Sequence, residues 1–179
     1  SEWIDPDTPP EVNRSMNSRS GNGHEYRLAF SDEFNVDGRK FGDDSDPKWT
    51  AMERTPWTNM QINRYVPELA YTDGGVLHIG ARLTPEEDKE AGRSYQTAML
   101  QSWNKFCFRG GIVDVRVRLP GDGSGRGAGL WPAVWMMGNL GRATYLDSTE
   151  GLWPFSASST CPEGRQNQIV NAIEAQTLN

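Results

Sequence analysis

GGIVDVRVRLP, Gly110 to Pro120, decides the fold class. Val113, Val115, Val117 and Leu119 fall on one side of an extended chain. Asp114, Arg116 and Arg118 fall on the other. Side chains alternate with period two along a strand, so this run predicts a half-buried antiparallel β-strand, apolar on one face and charged on the other.

Working outward, PGDGSGRGAG follows directly. It lacks the Gly-Lys-Ser/Thr ending of a phosphate loop, and no helix pattern comes after it. Its acidic residues are too few for a calcium loop. It reads as a hairpin connection into GLWPAVWMMGNLG, Gly129 to Gly141. Strand spacing there puts Trp131, Ala133, Trp135 and Met137 on one face. Two indoles separated by an alanine make either core or a flat apolar trough. Upstream, GGVLHIGARL reads as a strand entered through a glycine turn, and YRLAFSDEF, from Tyr26, as a strand-like run. VDGRKFGDDSDPKW reads as a loop. TPEEDKEAG is a short helix or an exposed loop, with Thr84 and Glu87 at capping-box spacing. Short strands separated by turn signals give an all-β chain of sandwich type, with no internal repeat. Residues 1–24, with DPDTPP and NRSMNSRSGNGH, have the composition of a flexible linker or stem, which leaves 25–179 as the domain.

Composition narrows the function. The 179 residues suffice for one domain with a core. A net charge of −6 argues against a nucleic-acid partner held through phosphates. No apolar run approaches a membrane span and no signal peptide is visible, so any membrane or targeting segment is expected outside this stretch. No Ser/His/Asp constellation stands out. His24 lies in the linker-like region and His78 mid-strand, too few for a metal cluster; neither a cofactor nor a metal is expected. Cys107 and Cys161 either pair or stay as thiols. Asn13-Arg14-Ser15 is an N-glycosylation acceptor if the chain is secreted.

FSDEF, TAMLQSWNKFCFRGG, IVDVRVRLP and GLWPAVWMMGNLG stand in that order along the chain. Together they resemble glycoside hydrolase family 16, the jelly-roll β-glucanases and transglycosylases. WIDPDTP (Trp3–Pro9), SDEFNVDGRKF (Ser31–Phe41), MLQSWNKFCF (Met99–Phe108) and STEGLWPF (Ser148–Phe155) resemble its fungal β-glucan synthesis-associated branch, needed for wall β-1,6-glucan. The resemblance runs over roughly residues 1–176. It implies two stacked antiparallel sheets with a concave glucan-binding face, of which this chain carries the N-terminal part. It implies β-glucan as partner and the secretory lumen or cell surface as location, in the lumenal part of a membrane-anchored protein. Trp131 and Trp135 match the family's cleft aromatics, which stack on the apolar face of a glucose ring. Trp103 and Asn59 are further cleft candidates.

The catalytic strand of that family carries E-x-D-x-x-E. A β-bulge brings the outer carboxyls to the same face, about 5–5.5 Å apart, as retaining glycosidases need. The branch pattern GRGAPEIDxxEAQ meets GRQNQIVNAIEAQ here, Gly164 to Gln176. Ile169 then stands at the nucleophile, Asn171 at the middle aspartate and Glu174 at the acid/base. Isoleucine cannot form a glycosyl-enzyme bond. The same segment also reads as helix, with Ile169, Val170, Ile173 and Leu178 near one face. Three functions follow as alternatives: a glucan hydrolase or transglycosylase, a non-catalytic glucan-binding scaffold, and an inactive fragment.

Overall fold

Gly74 and Gly75 set the longest hairpin among the described residues. Both have positive φ, 59° and 76°, the conformation a two-residue type I′ turn requires at both central positions. The turn joins β5 (Ala70–Asp73) to β6 (Val76–Ile79), paired antiparallel with Asp73 opposite Val76. Ala70 and Thr72 point inward, while Tyr71 and Asp73 point to solvent. The computed structural model describes residues 2–12, 16–17, 25–43, 45–56, 60–89, 92–121, 123–124 and 129–138.

Among these residues the chain is all-β, with no α-helix. The remaining strands are β1 (Met16–Asn17), β2 (Glu25–Tyr26), β3 (Thr50–Ala51), β4 (Asn63–Tyr65), β7 (Ala81–Leu83), β8 (Tyr95–Thr97) and β9 (Leu100–Gln101). They pair as β1–β2, β3–β9 and β4–β8–β7; β4 runs parallel to β8, and the other pairs are antiparallel. The strand expected over GGVLHIGARL is present as β6 and β7. Gly80 breaks it, and the two halves pair with different partners.

The core gathers Phe41, Ala51, Ala70 and Ala98, with Trp49, Leu69, Leu77 and Leu100 packed against it. Phe41 is only 1% exposed, although it lies in a stretch whose glycines and aspartates read as loop. Beside this core lies a chain of rings. Trp3 sits 5.4 Å from Phe106 and 6.5 Å from Phe30. Phe30 meets Phe106 at 4.7 Å and the edge of Trp49 at 5.5 Å. These are ordinary contact separations for aromatic pairs.

Trp3 corrects the linker reading for residues 2–12. The Ser31 amide donates to the Trp3 carbonyl at 3.0 Å. The Asp5 amide donates to Ser31 Oγ at 2.9 Å, and Asp5 Oδ2 accepts the Glu33 amide at 3.0 Å. Thr8 Oγ1 and Ser31 Oγ share a hydrogen at 2.6 Å. Met16–Asn17 pairs as β1 with β2. A polar, proline-rich composition looks solvated, but here its polar atoms are used by residues some 25 positions downstream.

Three other expectations are revised. Over 26–34 only Tyr26 lies in a strand. The capping box does not form: the turn at Glu86–Asp88 is 3-10, begins after Pro85, and has no side-chain cap. The Thr84 amide, which the box would give to the Glu87 carboxylate, donates instead to the Ser94 carbonyl at 3.0 Å. The run 112–119 is not half-buried. All eight residues are exposed, and none is in a strand ladder with another described residue. Its alternation is a strand's, but a strand buries a face only against a neighbouring sheet, which the described residues do not supply.

Candidate functional site

An ionic knot holds the start of the domain. Arg39 Nη1 and Nη2 donate to Asp32 Oδ1 and Oδ2 at 2.7 and 2.9 Å. Arg39 Nε and Nη2 also donate to Asp46 Oδ2 at 3.0 and 2.8 Å. Trp49 Nε1 donates to Asp32 Oδ2 at 2.8 Å, and Asp46 Oδ1 accepts the amides of Lys48 and Trp49. The Asp32 side chain is 1% exposed. Burial alone would raise its carboxyl. The hydrogen bonds from Arg39, Trp49 and the Phe34 amide, with the charge of Arg39, outweigh burial and hold it below the usual carboxylate range. For Arg39, burial opposes the charge, yet its bonds to both aspartates raise it further above its already high value.

The guanidinium also lies 5.4 and 5.2 Å from the rings of Phe34 and Phe41. Phe34 itself has φ of 54°, a left-handed conformation uncommon for a bulky residue. The bond from its amide to Asp32 Oδ1, 3.1 Å, helps hold it there. This knot escaped the sequence reading. Its one signal is a charge spacing of seven, Asp32–Arg39–Asp46, inside a stretch with Phe34, Phe41 and Trp49. Salt-bridged charge among rings is scaffold, and here it ties the loop before β3 to itself.

Met60, just after Asn59, is exposed. The Tyr65 hydroxyl donates to Gln61 Oε1 at 2.7 Å, and Arg93 Nη1 donates to the Gln61 carbonyl. Burial pushes the Tyr65 phenol up, against the opposing bonds with Asn63 and Gln61. The His78 ring stacks on Tyr71 at 4.9 Å and 11°, and Nε2 lies 3.0 Å from the Asp73 carbonyl. Among the described residues no group of three His, Cys, Asp or Glu side chains could hold a metal, and no helix is long and apolar enough to cross a membrane.

The glucan-facing candidates divide. Trp131 is 94% and Trp135 79% exposed. Trp103 is half-buried in the turn after β9. The open pair belongs to an apolar strip that also exposes Leu130, Val134, Met136 and Met137. Indoles left this open are not core residues among the described part of the chain. They offer flat faces at which a sugar ring could stack. Cys107 is exposed. Asn13, His24, Asn59, Cys161, Ile169, Asn171 and Glu174 lie outside the described residues.

An all-β chain of jelly-roll β-sandwich class, showing an open pair of indoles, is what sequence and structure define together. Residues 1–172 match the family described as β-glucan synthesis-associated protein SKN1/KRE6/Sbg1, and the chain belongs to that family. It is 42% identical to the β-glucan synthesis-associated protein KRE6 of Saccharomyces cerevisiae, over 90% of this chain and 21% of that protein. With the SKN1 protein of Candida albicans the identity is 40%, over 90% and 20%. A β-glucanase of Rhodothermus marinus is 36% identical, over 76% of this chain and 43% of the enzyme. The chain thus spans about a fifth of the length of its fungal relatives. No solved structure matches it.

Proposed function

We propose that this chain holds β-glucan without cleaving it, as a scaffold in wall-glucan assembly in the secretory lumen or at the cell surface, within a membrane-anchored protein. The observation that carries the reading is the exposure of Trp131 and Trp135. Large aromatic faces left in water cost free energy unless something covers them, and a glucan chain presents the apolar ring faces that suit indole. The names of the fungal relatives and of the glucanase point to the same polymer.

The absence of turnover follows from the carboxylates. Retaining hydrolysis needs a nucleophile and an acid/base across one glycosidic bond. Aligned on the family pattern, Ile169 replaces the first and Asn171 the assisting aspartate, so Glu174 can protonate a leaving group but nothing captures the developing cation.

Retention on insoluble β-1,3- and β-1,6-glucan tests the binding half, and release of reducing ends tests the catalytic half. Retention without turnover is expected, with retention lost in the Trp131→Ala/Trp135→Ala double variant. Full retention by that variant would overturn the stacking role. Turnover that disappears in Glu174→Gln would overturn the absence of catalysis.

A further inference from the structure

Residues 2–12 are built like a bound peptide. Their turns are set from within. Asp5 Oδ1 accepts the Asp7 amide at 3.0 Å, the Asp5 carbonyl accepts the Thr8 amide at 3.0 Å, and the Pro9 carbonyl accepts the Val12 amide at 2.9 Å. Pro6, Pro9 and Pro10 fix three more φ angles. A segment so constrained gives up little freedom when it docks.

What it docks on is a small patch. Trp3 lays its ring against Phe30 and Phe106. Ser31 takes the middle: its amide donates to the Trp3 carbonyl, and its hydroxyl meets the Asp5 amide and Thr8 Oγ1. The Glu33 amide donates to Asp5 Oδ2, and Asn35 Nδ2 donates to Asp7 Oδ2 at 3.1 Å. These bonds land on residues 31–35, and the ring contacts on Phe30 and Phe106. Each chemistry is matched: indole on rings, carboxylates on donors, the buried Thr8 on a hydroxyl. An aromatic anchor flanked by oriented polar contacts is the anatomy of a recognition site.

We infer that Phe30–Asn35, with Phe106, form a binding site for a tryptophan-anchored acidic peptide, filled in cis by residues 2–12. The site is independent of glucan binding. The tether keeps the resident segment at high effective concentration, so a peptide in solution enters only when the resident's grip is weakened.

The test titrates a labelled peptide of residues 1–12 against the full chain by fluorescence anisotropy. The wild-type chain should bind none. The Trp3→Ala chain should bind it saturably, and a Trp3→Ala peptide should bind that chain about tenfold more weakly or worse. A second measurement leaves the resident sequence intact. A protease site placed within residues 18–24 is cut in the folded chain, and the labelled peptide should then exchange with the freed segment. A variant chain that keeps a cooperative melt and binds no peptide would overturn the site. So would equal binding by the substituted peptide, or equal binding by the wild-type chain, which assigns the contact to another surface. Loss of the cooperative melt on cutting would overturn it as well, because residues 2–12 would then be part of the fold and not a ligand.

Discussion

Residues 25–106 and residues 107–138 have similar ingredients and opposite fates. In the first region Asp32, Arg39, Asp46 and Trp49 satisfy one another, Phe41 is buried, and Phe30 and Phe106 are half-buried against each other. In the second, Val113, Val115, Val117, Trp131 and Trp135 stand in solvent. Both carry apolar residues and charges in alternation. What differs is the partner. The first region's partners lie within its own span and in residues 2–12, whereas the second's apolar rows meet none among the described residues. Among the described residues, stability should therefore reside almost entirely in the first region.

The largest effect should come from the knot. Arg39→Ala removes one side of a buried ion pair and leaves Asp32 charged and enclosed. It should cost about 3–5 kcal/mol, read from the urea midpoint at unchanged slope. If Trp135→Ala cost as much, the contrast between regions would fail. Trp3→Ala comes next. A buried tryptophan costs roughly 3–5 kcal/mol when truncated, and Trp3 is half-buried, so about 2 kcal/mol is expected. A thermal melt unchanged by the substitution would return residues 2–12 to the role of linker.

Acid should act on the same region. Asp32 titrates lower in the folded chain than in the unfolded one. Its ionised form therefore stabilises the fold fully above the unfolded value, about 4, and that contribution is lost as pH falls through the lower folded value. The wild type should lose stability over that interval more steeply than Asp32→Asn, which is weaker throughout. Parallel pH profiles would remove Asp32 as the cause. The smallest effect on stability belongs to the open strip. Trp135→Ala should change it by no more than about 0.5 kcal/mol while reducing glucan retention severalfold, which sharpens the division between a part that holds itself together and a part that holds something else.

What the sequence disclosed depended on the range of the interaction. Gly74-Gly75 announced its turn because a two-residue turn is decided by the residues in it, though not the strand on its far side. The alternation at Val113–Leu119 was legible, but not its burial, since a pattern names a face and not its occupant. Thr84 and Glu87 had the right spacing for a cap, but the Thr84 amide is taken by the Ser94 carbonyl, a partner ten residues on. The knot and the Trp3 clasp were invisible for another reason: Asp5 gains meaning only beside Ser31 and Glu33, and Arg39 only between two aspartates. At the candidate site, the resemblance singled out Trp131 and Trp135. Their openness required coordinates.

The clasp at Trp3 bears on the order of events as the chain is made. Its ring rests on Phe106, so residues 2–12 must wait during synthesis for residues far behind them. Contacts of such sequence separation slow folding, because loop closure precedes any gain. Residues 2–12 are therefore secured late in a growing chain, after the rings they close over have been made.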